Sequence, residues 1–581
     1  MALLASRKRH HKKKKRHAKR HGAAVKPVSK PVNVTKQPEP TTPKVTAPST
    51  PSPSPPTPSP SASASPSPSQ TPSQSASPSP SSSPSSNIDP SSSGVLPAPT
   101  VRERLYLNRF GAGFTQTGLG QLRSQGGADA WLAAQLSPAS VPESSKVSEI
   151  DSWFSALTST PAAKYAANDA KIRTKWTYGD NLGNWTLLRR IYSRRSLLET
   201  MTDFWSTHLH VPTADDHAWI YRYDYDQAIR ANALGTFEDL LIACSLHPAM
   251  RGYLDNWRSA RNAPNENQGR ELLEVHTVGR DAGYTEDMVK ASARILSGYT
   301  LDWGTGKTFQ GYYDPSRHTT GAVQVLGFSD ANTNVNGSET GSGVAVRYLR
   351  YLANHPATAQ RVARKMAVYF VSDSPSDGLV TTLANVYTSS GTKISAVLTA
   401  LSQHPEFLNS EGQKVRTPYA DLVATSRVLD VDVHAPAVKT SWANSANSIH
   451  GGPALFSWPR PDGPPIDNLA WSSASRVLSC ATMHLNLATG WRPSTEVTYR
   501  SSVSWLPSSS VRFDVFVDHL CRLWLGRAAD ARLLAGAISA VSRPGAAITS
   551  STTVTPNHSL VGSQFRRLAS ALLDSPDHMT T

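Results

Sequence analysis

Cysteine is nearly missing from this chain: Cys244, Cys480 and Cys521 are the only three in 581 residues. They are odd in number, far apart and in no CxxC or CxH pattern. That excludes a disulfide framework and a cysteine-based zinc site, so each reads as a small buried apolar residue. Long apolar runs are lacking too. None approaches the ~18 residues needed to span a bilayer, so no transmembrane helix is expected. The N-terminal basic run leads into Gly22-Ala23-Ala24-Val25-Lys26-Pro27, where a secretory signal would place about 7 to 15 apolar residues. No HExxH spacing marks a metalloprotease-type helix.

Residues 1–100 contain no Phe, Trp or Tyr and only two acids, Glu39 and Asp89, against 14 Lys+Arg and 21 of the 43 Pro. Such a stretch buries too little apolar surface to offset chain entropy and is expected to be disordered. It contributes +12 of the formal net charge of +16, which leaves +4 (45 basic against 41 acidic residues) for the remaining 481 residues. The charge excess therefore describes an appendage. Residues 1–37 form a basic head around the run RKRHHKKKKRHAKRH (residues 7–21), and residues 38–99 a Ser/Pro/Thr-rich linker that favours an extended spacer. The head would attract an anionic cell-wall polymer, lipid headgroups or nucleic acid in a salt-dependent, non-specific way. Residues 100–581 are the folded body, near neutral and without a recognised nucleic-acid-binding module.

Periodicity in the body predicts a mainly α fold. From Trp185 to His210, apolar residues including Leu187, Ile191, Leu198, Met201 and Trp205 recur at helical spacing, with Asn181 or Asn184 as caps. Similar patterns cover Phe237–Leu246, Glu271–Val278, Glu286–Leu296, Val344–Leu352, Ala359–Phe370, Ile394–Leu401 and Asn468–Leu487. Thr308–Tyr313 and Ala322–Phe328 carry β-branched and aromatic residues bounded by Gly, which predicts a small hairpin or lid.

One segment concentrates polar groups. In NENQGRELLEVHTVG (Asn265 to Gly279), helical geometry puts Asn267, Glu271 and Glu274 on one face with Glu266 and Arg270 beside it. Such a face binds a cation, holds a general acid or base, or forms i to i+4 ion pairs such as Glu266 with Arg270 and Arg270 with Glu274. The ion-paired face is the simpler expectation. Gly279 is placed to stop the helix and Thr285 to start the next.

This segment, together with LNRFGAGFT (Leu107 to Thr115), MTDFWSTHLHV (Met201 to Val211), HPAMRGYLDN, GYTEDMVKASARILSGYT, HPATAQRVARKMAVYFV and KVRTPYADLVATSRVL (Lys414 to Leu429), resembles the bacterial "domain of unknown function 1800" family. The resemblance covers about residues 105–500. It implies a large, mainly helical bacterial domain of unassigned activity, often found in exported or envelope settings. The chain departs from the family's pattern at three places. Where members commonly read FWxNHF it has Phe204-Trp205-Ser206-Thr207-His208-Leu209, where they have Ala before Arg-Glu it has Gly269, and a frequent His-Asp pair becomes His318-Thr319.

The matched motifs suggest a constellation of His208, Asp255, Asn256, Glu266, Arg270, Glu271, Glu274, His276 and His318. Its catalytic candidates are His208, Arg270, Glu271, Glu274 and His318. Imidazole with carboxylate suits a divalent metal such as zinc, manganese or iron, for which His208, Glu271 and His318 are the candidate ligands, and the Arg could anchor an anionic substrate group. The expected function is an envelope-associated enzyme using these groups. The alternative is a non-catalytic cell-surface binding or assembly protein, because many of the 14 Trp stand near Pro or Gly, as in Phe456-Ser457-Trp458-Pro459-Arg460-Pro461-Asp462-Gly463, and such rings stack on sugars. The enzyme predicts converging His and carboxylates in a pocket, the binding protein exposed aromatics on a shallow face.

Overall fold

The computed structural model describes residues 96–333, 340–436 and 441–581. The basic head, and the linker up to residue 95, lie outside the described residues. The body is mainly α: among the described residues it holds 24 α-helices and four two-stranded antiparallel sheets. None of these helices is long and apolar enough to cross a membrane. Cys244, Cys480 and Cys521 are free and buried, as their spacing predicts.

Helices occur where the apolar spacing places them, with ends set by capping. Thr285 caps the helix Glu286–Leu296 through Met288 N–H, and His355 caps Pro356–Phe370, which begins at the expected N-terminal Pro. The stretch Trp185–His210 is two helices, Lys175–Tyr192 and Ser196–His208. Ser193 is extended and its Oγ accepts from Arg195 N–H at 3.1 Å, a local bond that competes with the helical ladder. The cap of the first helix is Thr174, with Asn181 and Asn184 inside it.

Ser196–His208 is buried on nearly every face. Phe204 and Trp205 pack against Tyr369, Phe370 and Phe237 with ring centroids 5.1, 6.3 and 5.4 Å apart, so this helix runs through the core and delivers its C-terminal end, Ser206 to His210, to the functional region.

The expected hairpin is two separate ones. Gly311–Tyr313 pairs with Tyr299–Leu301, and Val323–Val325 pairs with Phe328–Asp330 across the tight turn at Leu326-Gly327. The Asn265–Gly279 segment begins as a helix, Asn267–Glu271, and widens into a π turn, Leu272–His276. That widening changes the register, and Glu274 pairs with Arg280 rather than Arg270. Arg270 instead bonds Glu286 at 2.7 Å and Glu266 at 3.3 Å. At Gly269 a Cβ would lie 2.8 Å from Ala293 N, so the Gly permits the close approach of Glu286–Leu296.

Candidate functional site

The residues singled out from the sequence do not form one site. His208 is buried at the end of the core helix, where its Nε2 bonds the His276 carbonyl at 3.0 Å and its Nδ1 lies 3.1 Å from Lys365 Nζ. Donation from Nε2–H leaves Nδ1 as the acceptor for the Lys365 amine. Burial, then Lys365, lowers the His208 pKa; burial, then Lys365 and Arg361, takes His276 to about 3. Burial and then Arg361 push Lys365 itself down to about 7. This group ties off the π turn: His208 takes the His276 carbonyl, Arg361 the Val275 carbonyl, Thr277 Oγ1 the Leu272 carbonyl and Gly279 N–H the Leu273 carbonyl.

His318 is also buried, with Nδ1 on the Ser297 carbonyl at 3.0 Å and Nε2 on Asn332 Oδ1 at 2.8 Å, so both ring nitrogens are occupied. Glu271 is half-buried, and burial, then Glu274 and Asp462, raises its pKa. The donor atoms of His208, Glu271 and His318 are not among the groups that come within 4.8 Å of one another. Arg270 and Glu274 are engaged in the surface ion pairs described above. Asp255 adopts a left-handed turn conformation before the short helix Asn256–Arg258, and the Asn256 amide bonds the Leu296 carbonyl at 3.0 Å.

A different trio does converge. Asp421 of the helix Pro418–Val428, His484 of Ala474–Thr489 and His578 of Pro576–Met579 are all buried, with donor atoms within 4.8 Å of one another. His484 Nε2 lies 3.1 Å from Asp421 Oδ1, and its Nδ1 lies 2.6 Å from Asp574 Oδ1. Arg476 Nη2 holds Asp421 Oδ2 at 2.8 Å, and Thr425 Oγ1 lies 2.9 Å from His578 Nε2. Burial opposes charge on His484, but Asp421 and Asp574 outweigh it and hold its pKa up at about 9. Burial likewise opposes the Asp421 charge, and the two imidazoles overcome it and take the carboxyl well below its usual range. Burial keeps His578 neutral, at about 4.

The donor set would suit a divalent ion, with Asp574 behind His484 as an orienting carboxylate. Its charges, however, close without one: two carboxylates face the Arg476 guanidinium and the His484 imidazolium, and Arg416, bonded to the His578 carbonyl at 2.7 Å, adds a further cation. Sequence reasoning missed this trio because its members are 63 and 94 positions apart (484 − 421 and 578 − 484). The one local signal is an Asp inside an apolar helical run, YADLVA.

Two adjoining clefts share Asp203, Tyr369, Thr417 and Ile466. The first, about 720 Å³ including its mouth, is walled by Phe456, Trp458 and Trp471 with Pro418, Pro453, Pro464 and Pro465. Its aromatic wall is fastened to the core helix, where His210 Nε2 bonds the Trp458 carbonyl at 2.8 Å. Gly463, at φ +70°, sits so close to the Thr207 carbonyl that any Cβ would overlap it. Three polar atoms on this cleft, Ser206 Oγ, Tyr419 Oη and His450 Nε2, are buried without a hydrogen-bond partner among the described residues. Asp203, a quarter exposed and paired with Arg190 at 3.1 Å, is the cleft's one carboxylate. The second cleft, about 680 Å³ including its mouth, is lined by Arg109, Arg190, Lys414, Arg416, the shared Asp203 and the turn Gly111-Ala112-Gly113.

No curated protein and no solved structure matches the chain. A family model described as "Protein of unknown function (DUF1800)" matches residues 105–580. That span takes in the first cleft, all of the second but Thr581, the π turn and the buried Asp421 trio, and the chain belongs to this family of unknown function.

Proposed function

We propose that this protein is a cell-envelope binding protein whose aromatic cleft takes a polyhydroxylated ligand of the cell-wall glycan type. The observation that carries this reading is the set of three buried, unpartnered groups on the cleft, Ser206 Oγ, Tyr419 Oη and His450 Nε2. An unmatched buried polar atom costs about 1–3 kcal/mol, and three on one cleft are matched together by a ligand rich in hydroxyls. The half-buried rings of Trp458 and Trp471 beside them fit sugar rings, while Phe456, covered on one face by Arg222, backs the wall.

Binding is favoured over hydrolysis because the cleft presents one carboxylate, Asp203, where glycoside hydrolysis commonly uses a pair. Ser206 and His210 do not form a nucleophile-base pair either, since His210 Nδ1 addresses the Ser206 carbonyl and Ser206 Oγ is left alone. The Ser/Pro/Thr linker and basic head support an envelope setting, as a tether with a cationic end suited to anionic polymer.

The test is isothermal titration of the full chain with soluble cell-wall glycan fragments, at a salt concentration that suppresses the basic head. Saturable binding weakened by Tyr419→Phe and by Ser206→Ala is expected. Absence of binding across the panel, or equal binding by both variants, overturns the reading. A second reading, an envelope enzyme with a divalent metal, draws on the Asp421, His484 and His578 donor set.

A further inference from the structure

The second cleft gathers four cations, Arg109, Arg190, Lys414 and Arg416, two of which have no side-chain carboxylate in direct contact among the described residues. Arg109 is 5% exposed, and all its bonds go to backbone carbonyls: Phe370 and Val371 from Nη1, Ser410 and Thr581 from Nη2. Its Nε is buried without a partner among the described residues. Arg416, 7% exposed, donates from Nε to the His578 carbonyl at 2.7 Å and from Nη2 to Asn108 Oδ1 at 2.9 Å. Neither guanidinium has a side-chain carboxylate within ion-pair distance among the described residues, whereas Arg190 has Asp203 and Lys414 has Asp373. Burial and then Arg416 depress Arg109 to about 9; burial depresses Arg416 to about 10, with Asp421 opposing it from beyond ion-pair distance, and both stay charged at neutral pH.

Two buried guanidiniums facing one cleft without anions are strongly destabilising. The Gly111-Ala112-Gly113 turn keeps the cleft wall free of side-chain bulk. Gly113 has φ +103°, and a Cβ there would press to 2.9 Å on Ala424 Cβ, while Arg416 Nη1 lies 3.5 Å from the same point. The sequence motifs LNRFGAGFT and KVRTPYADLV meet at this cleft, and neither is used by the aromatic cleft beyond Thr417 to Tyr419.

We propose that this second cleft is an oxyanion-binding site, in which Arg416, whose Nη1 faces the Gly113 turn without a protein acceptor among the described residues, takes a phosphate, sulfate or carboxylate group, with Arg109 behind it adding positive charge. Guanidinium forks match such groups through paired hydrogen bonds. Because the clefts adjoin at Asp203, Tyr369, Thr417 and Ile466, the same site would seat an anionic substituent of a ligand lying in the aromatic cleft. The oxyanion site stands on its own residues and holds whether or not that neighbour takes a glycan.

The experiment measures thermal unfolding and isothermal titration of the full chain with inorganic phosphate, sulfate and acetate, each against chloride at matched ionic strength. The basic head is controlled for by the variants, which leave it intact. At least one oxyanion should raise the melting temperature saturably, and its identity separates the phosphate-type from the carboxylate-type source. Arg416→Met should weaken that binding by about tenfold or more. Arg416→Lys keeps the charge without the fork, and should weaken binding by a smaller factor; it decides the matter if the Met variant does not fold. No saturable shift beyond chloride, or unchanged affinity in the variants, overturns the proposal.

Discussion

The Nε2–H of His208 donates to the backbone carbonyl of His276 at 3.0 Å, joining the end of the core helix to the end of the π turn. A histidine that reads from sequence as a ligand is a cap, and its Nδ1 is taken by Lys365. The Lys365 pKa of about 7 lies below the unfolded value of 10.5. The folded state therefore binds fewer protons between those values, and stability from this group is greatest above pH 10.5 and is lost as pH falls toward 7. Lys365→Met should unfold at a higher temperature than the wild type at pH 7, with the advantage shrinking by pH 10. An advantage that is absent, or independent of pH, would contradict the assignment.

His484 has the opposite sign. Its pKa of about 9 stands above the ordinary imidazole value of 6.5, so its contribution is complete below pH 6.5 and is lost as pH rises through 9. His484→Gln breaks a buried charge network, for which a loss of about 3–5 kcal/mol is typical. Denaturant titrations should show a larger loss at pH 6 than at pH 10. Equal losses at both would mean that the imidazole is not charged between its carboxylates.

Removal of a hydroxyl from the aromatic cleft separates a binding role from a packing role. Tyr419 Oη and Ser206 Oγ have no partner to lose among the described residues, so Tyr419→Phe and Ser206→Ala should leave the free protein as stable or up to about 1 kcal/mol more stable. A fall of more than that in urea denaturation would show that the hydroxyl is already satisfied in the free protein.

The charge closure around Asp421 predicts that the purified protein carries far less than one equivalent of zinc, manganese or iron by elemental analysis, and that a chelator leaves its melting temperature unchanged. One tightly held equivalent that disappears in His578→Ala would establish the metal-dependent reading instead.

The helical class was legible because local spacing carries it: Glu286–Leu296 has the same bounds from apolar period and from structure. The π turn was not, since its widening depends on carbonyl partners supplied by His208 and Arg361 from other helices. The aromatic cleft was half legible. Phe456 and Trp458 stood out for their Pro and Gly neighbours, but Ser206, Tyr419 and His450 become a group only through burial, which no spacing encodes. The cationic cleft depends on a negative fact, that Arg109 and Arg416 meet carbonyls rather than carboxylates, and only the packed chain reveals it.

The wall of the aromatic cleft has a kinetic consequence. Pro453, Pro459, Pro461, Pro464 and Pro465 fix φ along it, His210 grips Trp458, and Gly463 leaves no slack against Thr207. A ligand would meet a surface already shaped, with little loop ordering to undergo on arrival. Mutations in this wall should therefore register chiefly in how long a ligand stays and only weakly in how fast it arrives.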